Sequence, residues 1–166
     1  MTADAAPAVI RAVGRPGDLG WIVLAHGEQY AHEFGWDTTF EALVARIVAD
    51  FAAGHDPRRE AGWIAEVGGE RAGCVLCVAG DEPDTAQLRI LLVDPRARGR
   101  NVGRRLVDTC VEFARDAGYR RIRLWTNDPL VAARRIYLAA GFTLVEEEPH
   151  HSFGVDLVGQ VYELVL

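Results

Sequence analysis

Residues 91–107, LLVDPRARGRNVGRRLV, constrain the fold more than any other stretch of the chain. An apolar run of buried-strand character passes through five arginines within ten positions into residues spaced for one face of a helix. A helix that starts at Asn101 turns its unpaired backbone N–H groups and the positive end of its dipole back into that loop. Phosphate and other anions are held well at such a place. Gly99 and Gly103 let a ligand approach the backbone, and Arg98, Arg100, Arg104 or Arg105 can neutralise its charge. The competing reading makes Arg104 and Arg105 the solvated face of an amphipathic helix and the glycines part of an ordinary connector.

The rest of the chain alternates strand and helix patterns around this junction. AVIRAVGR reads as a first strand ended by the turn RPGD, and Leu19, Ile22, Val23, His26, Tyr30 and Phe34 then recur at helical spacing over 19–34. A second helix is expected over 38–53, with Phe40, Leu43, Val44, Ile47 and Phe51 on one side and Gly54 as its stop. Two strand-like runs joined at Gly68 and Gly69 give a hairpin, and AQLRILLVD a fourth strand closed by Pro95. A third helix is expected over 101–117, with Val102, Leu106, Cys110, Phe113, Ala114 and Ala117 inward, and RIRLWT as a fifth strand. Asp128 and Pro129 suit the N-cap and first turn of a fourth helix running to Gly141. FTLVEEE and LVGQVYELVL supply two last strands, separated by the loop PHHSFGVD. The order β-α-α-β-β-β-α-β-α-β-β implies one α+β domain over 1–166, a layered mixed sheet with helices on its faces, preceded by a loose tail over 1–7.

Composition removes several function classes. All eighteen basic residues are arginine, so lysine Schiff-base chemistry and the lysine-bearing phosphate loop of nucleotide triphosphatases are excluded. Ser152 is the only serine and lies in HHSFG, outside any nucleophile-elbow pattern. A net charge of −6 argues against nucleic acid or anionic membrane as a general partner. No apolar run reaches the roughly 20 residues that span a bilayer, and MTADAAPAV lacks the pattern of a secretory signal, so a soluble cytoplasmic protein is expected. Cys74 and Cys77 sit three apart in an alternating strand run and so point to opposite faces, which speaks against a redox or zinc pair, and no metal is expected.

LLVDPRARGRNVGRRLV followed by LWTNDPLVAARRIYLAAGF resembles the core of the GNAT family, the Gcn5-related N-acetyltransferases, and the similarity runs from about Ile10 onward. V-x-P, the R-x-x-G-x-G-like loop and the distant IY-x-x-x-GF carry it. EEPHHSFGVDLVGQVYELVL further resembles the end of the acetyltransferase half of bacterial MarR–GNAT fusion regulators, here without the winged-helix half. The resemblance implies a mostly antiparallel seven-stranded sheet whose strands 4 and 5 splay apart. It implies acetyl-CoA as cosubstrate, with pantetheine along Leu91, Leu92 and Val93 and pyrophosphate on Arg98, Gly99, Arg100, Asn101, Val102, Gly103 and Arg104. Asn101 replaces a family glycine there, a change asparagine tolerates because it enters the left-handed region readily. Leu130 stands where many members carry an asparagine, and nearby Asn127 is a weaker CoA contact.

Tyr137 matches the family's general acid, poised to protonate the leaving sulfur; the plain alternative is a tyrosine whose ring fills the core. A backbone N–H near Val93 would polarise the acetyl carbonyl. The strand that carries a basic glutamate in many relatives offers Gln87 and Arg89 instead, leaving Glu33 as the candidate base, with His150 and His151 also titratable near neutrality. Tyr30, Glu33, Trp36, Arg89, His151 and Phe153 are expected around the acceptor, with His32 and Asp37 close in sequence. The expected reaction is direct transfer of acetyl to a primary amine of a small molecule or peptide, the alternative a non-catalytic acyl-CoA sensor. Pairing through the last strands would give a homodimer.

Overall fold

In the computed structural model, residues 7–54 and 56–166 are described, so the tail expected over 1–7 falls outside them except for Pro7. Strand β1 (Val9–Ala12) leads into the helices α1 (Asp18–Phe34) and α2 (Thr38–Gly54). Strands β2 (Ala61–Val67), β3 (Glu70–Ala79) and β4 (Thr85–Val93) form a meander, followed by a 3-10 turn at Pro95–Ala97 and helix α3 (Val102–Asp116). Strand β5 (Arg121–Asn127), helix α4 (Val131–Ala139) and the hairpin β6 (Thr143–Ser152)–β7 (Val155–Val165) complete the chain. The seven strands lie in the order β1-β2-β3-β4-β5-β7-β6, antiparallel except for β4 beside β5.

Each face of the sheet carries its own core. α3 and α4 cover one face through Val102, Leu106, Cys110, Ala114 and Tyr137, while α1 and α2 cover the other through Ile22, Tyr30, Phe40, Val44 and Val48. Strand alternation divides Cys74 and Cys77 between these cores, as their spacing requires, and Cys77 meets Cys110. Gly27 of α1 leaves room for the Glu41 carboxylate of α2, which occupies the space a side chain there would take. Asp18, fully buried at the start of α1, accepts from the guanidinium groups of Arg11 at 2.8 Å and Arg71 at 2.9 Å and from the N–H groups of Gly14 and Arg15. The Arg11 guanidinium holds this carboxyl well below the usual carboxylate range.

Two expected boundaries move. PHHSFGVD is not a loop: β6 runs through Ser152, β7 starts at Val155, and Phe153 (φ 58°) and Gly154 (φ 83°) alone make the turn. Both residues take positive φ, as a tight hairpin demands, and phenylalanine is held there by its ring, 5.0 Å from that of Trp36 and 5.1 Å from that of Phe40. Helix α4 starts later and ends earlier than expected, over Val131–Ala139, because Asp128 does not cap it; the Asp128 carboxylate accepts the Val158 N–H at 2.8 Å and ties the segment to β7 instead.

The feature that positions the site is a break in β4. Ile90 sits at φ 50°, a conformation that strains a β-branched residue by on the order of 1–3 kcal/mol. The pairing with β3 skips there, Leu76 opposite Arg89 but Cys74 opposite Leu92. Parallel pairing with β5 covers only residues 85–87 of β4 against 121–123 of β5. Beyond Gln87 the strands diverge, and β5 continues against β7 as far as Asn127.

Candidate active site

A cleft of about 510 Å³ opens where β4 leaves β5, walled by Leu91 and Val93, by the loop and first turn of α3, and by residues 129–133 and Ile136. The loop conformation follows from its residues. Asp94 accepts the Arg96 N–H at 2.8 Å and begins the 3-10 turn, Gly99 takes φ 81°, and Asn101 precedes α3 in the left-handed region at φ 61°. A side chain at Gly99 would meet no atom within 4 Å, so the backbone there is open to a ligand. The first amides of α3 point into the same space.

The arginines divide. Arg98 and Arg104 border the cleft; Arg98 is paired with Glu33, and Arg104 with Asp108 at 2.9 Å. Arg100 borders a separate shallow cavity with Asp94 and Arg96, away from the cleft, and Arg105 reaches back to the Ala8 carbonyl at 2.7 Å. Val102 and Gly103 line the cleft, but Gly103 also makes room for α4, since a Cβ there would lie 2.6 Å from Ile136 Cδ1. Leu92 points into the α1–α2 core and does not border the cleft. The Leu91 carbonyl accepts a long bond from Tyr30 O–H at 3.4 Å and the Val93 carbonyl one from Gln29 Nε2 at 3.1 Å, so α1 braces the splayed strand.

A second, narrower cavity of about 100 Å³ adjoins the cleft: Tyr30, Leu91, Leu130 and Ala133 border both. Trp36, Phe40, Leu43, Val44, Ile47 and Trp125 make its apolar wall, and Arg89, Gln87, His26 and Asn127 its polar points. Tyr137 lines it too, 5% exposed. Among the described residues none hydrogen-bonds the Tyr137 hydroxyl. Burial drives the phenol's pKa well above its ordinary value, with Tyr30 adding to the shift, so it keeps its proton at neutral pH.

Other expected site residues fall elsewhere. Glu33, offered as a base, lies beside Arg98 at the cleft's arginine end and not in the second cavity. His151 is on the solvent side of β6, 2.8 Å from Asp156. Phe153 backs Trp36 and Phe40 without reaching the cavity surface. Asn127 borders the second cavity, and its Oδ1 accepts from His150 Nε2 at 2.7 Å. Asp37 is spent on the start of α2, accepting the Thr39 N–H at 3.0 Å. His26, read only as one position of an apolar helix face, borders the second cavity; its signal was being the only residue of that stripe whose ordinary pKa lies near neutrality. Among the described residues no three His, Cys, Asp or Glu side chains gather to hold a metal ion, and no helix is long and apolar enough to cross a membrane.

Residues 20–142 match the model of the Acetyltransferase (GNAT) family, and the chain belongs to that family. A mycothiol acetyltransferase of Sanguibacter keddieii is 31% identical over 150 residues, covering 85% of this chain and 45% of that protein. N-acetyltransferase 8B of Rattus norvegicus is 34% identical over 112 residues, covering 64% of this chain and 50% of that one. An N-acetyltransferase of Schizosaccharomyces pombe is 28% identical over 124 residues, 75% of this chain and 76% of that one. The chain thus spans three quarters of one of these relatives and half or less of the other two. In fold, it superimposes with a TM-score of 0.75 on a Salmonella typhimurium protein solved with its cofactor acetyl-CoA, at 18% identity over 96% of this chain and 94% of that one. A ribosomal-protein-alanine N-acetyltransferase from Brucella melitensis gives 0.75 at 17% identity, over 95% of this chain and 99% of that one.

Proposed function

We propose that the protein moves an acetyl group from acetyl-CoA to a primary amine within one ternary complex. The observation that carries this reading is the meeting of two unlike cavities at Tyr30, Leu91, Leu130 and Ala133, with a protonated phenol on the border of the narrower one. The wider cleft fits CoA on its own features: a helix start and Arg98 and Arg104 for the diphosphate, open backbone at Gly99, and a β4 edge without ladder partners for the amides of pantetheine. Bound acetyl-CoA supplies an acyl carbon activated by its thioester. The Tyr137 O–H faces the departing sulfur and is a proton donor at neutral pH. Backbone N–H groups of the splayed strand near Val93 serve the acyl oxygen without a side chain.

Glu33 belongs to the CoA end of this scheme, where it holds Arg98 in place. Among the described residues no carboxylate lines the acceptor cavity, so the amine reaches the thioester already neutral and its surplus proton leaves to water. The likeness of the last strands to those of winged-helix fusion regulators adds nothing to the choice of acceptor. Release of free CoA from acetyl-CoA on adding a panel of amines tests the reading; saturable CoA binding without turnover of any amine favours the sensor.

A further inference from the structure

Two groups in the acceptor cavity, an imidazole nitrogen and a guanidinium, have no hydrogen-bond or ion-pair partner among the described residues, and they define a substrate class if the acetyl-transfer reading holds. His26 Nδ1 lies 2.7 Å from the Ile22 carbonyl oxygen, which can only accept, so Nδ1 carries the proton and Nε2 presents a lone pair. Nε2 is fully buried and has no hydrogen-bond partner among the described residues, although its ring borders the cavity. Burial lowers the imidazole pKa to about 4, so near neutral pH Nε2 remains an acceptor.

The second group is Arg89, on β4 at the same cavity. It is half-buried, and among the described residues it forms no ion pair; Asp50 attracts it only from a distance. Among the described residues no Asp or Glu borders the cavity, so the charge they bring to it is that of one guanidinium. A purely cationic amine would meet repulsion there. A molecule carrying a carboxylate would meet a partner whose other choice is partial burial alone.

We propose that the acceptor is an amino acid with an apolar side chain: its carboxylate pairs with Arg89, its side chain lies against Trp36, Phe40 and Ile47, and its amino N–H donates to His26 Nε2. The N–C bond forms as the C–S bond breaks, Tyr137 gives its proton to sulfur, and the amine's surplus proton passes to water. His26 is too weak a base to keep that proton; it is a positioning residue that turns the amine lone pair toward the thioester.

The test compares matched pairs, such as phenylalanine against phenethylamine and leucine against isoamylamine, in CoA-release assays run beside acetyl-CoA calorimetry on the same protein. Each acid is expected to exceed its decarboxylated partner in kcat/KM by about thirtyfold, the scale of a charge-assisted, partly desolvated pair. Arg89→Gln should bring that ratio to within about threefold through KM, and Arg89→Lys should keep part of it. His26→Phe should lower kcat, whereas His26→Gln, whose amide oxygen accepts, should recover part of the loss, with thermal melts confirming that each variant folds. Absence of acetyl-CoA binding overturns the acetyl-transfer reading itself. Intact binding with amines turned over as well as their acids, or with other amines of the panel turned over and neither of these series, overturns the proposed substrate class alone; intact binding with no amine turned over favours the sensor.

Discussion

At one end of the cleft, Asp94, Gly99, Asn101, the first amides of α3, Arg98 and Arg104 all fall within eleven consecutive residues. At the other end, the narrower cavity proposed for the acceptor is assembled from separate elements: His26 and Tyr30 come from α1, Phe40 and Ile47 from α2, Arg89 from β4, Trp125 and Asn127 from β5 and Tyr137 from α4. The first end is charged and open; the second is apolar, small and closed by aromatic rings. Holding a diphosphate needs only donors and positive charge along one turn of backbone, so a local segment suffices. Selecting a small acceptor needs enclosure, and enclosure takes several elements converging from both faces of a sheet.

The contrast can be broken or sharpened. The largest effect is expected from Tyr137→Phe, which removes the proposed proton donor at the junction: steady-state kinetics should show kcat down about a hundredfold or more, with acetyl-CoA affinity nearly unchanged. Because the hydroxyl has no partner among the described residues, thermal unfolding should shift by less than about 1 kcal/mol. An unaltered kcat would remove Tyr137 from the chemistry.

Next is a pH effect confined to the enclosed end. His26 is neutral when folded, with its pKa lowered to about 4 by burial, whereas the unfolded chain takes up a proton at the ordinary value of 6.5. Its contribution is therefore complete above pH 6.5 and is lost as the pH falls toward 4. Urea unfolding at pH near 7 and near 4.5 should differ by on the order of 2–3 kcal/mol from this residue, and His26→Phe should flatten that interval. The buried Asp18 carboxylate, whose pKa is depressed mainly by Arg11, fails only at lower pH, leaving the two windows distinct.

A smaller effect is expected at the open end. Arg98→Ala should weaken CoA binding about tenfold and flatten its salt dependence, since one exposed charge is lost. Part of that loss comes from leaving Glu33 unpaired beside the phosphates, so adding Glu33→Gln should recover some affinity. If Glu33→Gln instead abolishes kcat and its pH dependence, the carboxylate is the base and the two ends are wrongly divided. The smallest change is expected from Asp108→Asn, which removes an exposed i,i+4 pair with Arg104 worth about 0.3 kcal/mol of helix stability, read by thermal melt.

The same contrast explains what could be read from the chain. Helical spacing at Val102, Leu106 and Cys110 and the paired glycines at 68 and 69 placed α3 and the β2–β3 hairpin because those signals lie within a few residues. Asn101 adopted the left-handed conformation expected of it for the same reason. The turn at Phe153 and Gly154 escaped notice because its strain is held by Trp36 and Phe40, more than a hundred positions away. Asp128 looked like a cap until Val158, thirty residues later, took its carboxylate. The pairing of Glu33 with Arg98 could not be read because the two lie 65 positions apart, and the orphaned nitrogen of His26, correctly placed on a buried helix face, is a property of the packed molecule.

Paired calorimetric titrations with CoA and with pantetheine, at low and at physiological salt, test the division of the cleft most directly. The account predicts saturable binding of CoA at least about thirtyfold tighter than pantetheine, with the advantage shrinking as salt rises. Equal affinities for the two, or no saturable binding of CoA by folded protein at millimolar concentration, would contradict it.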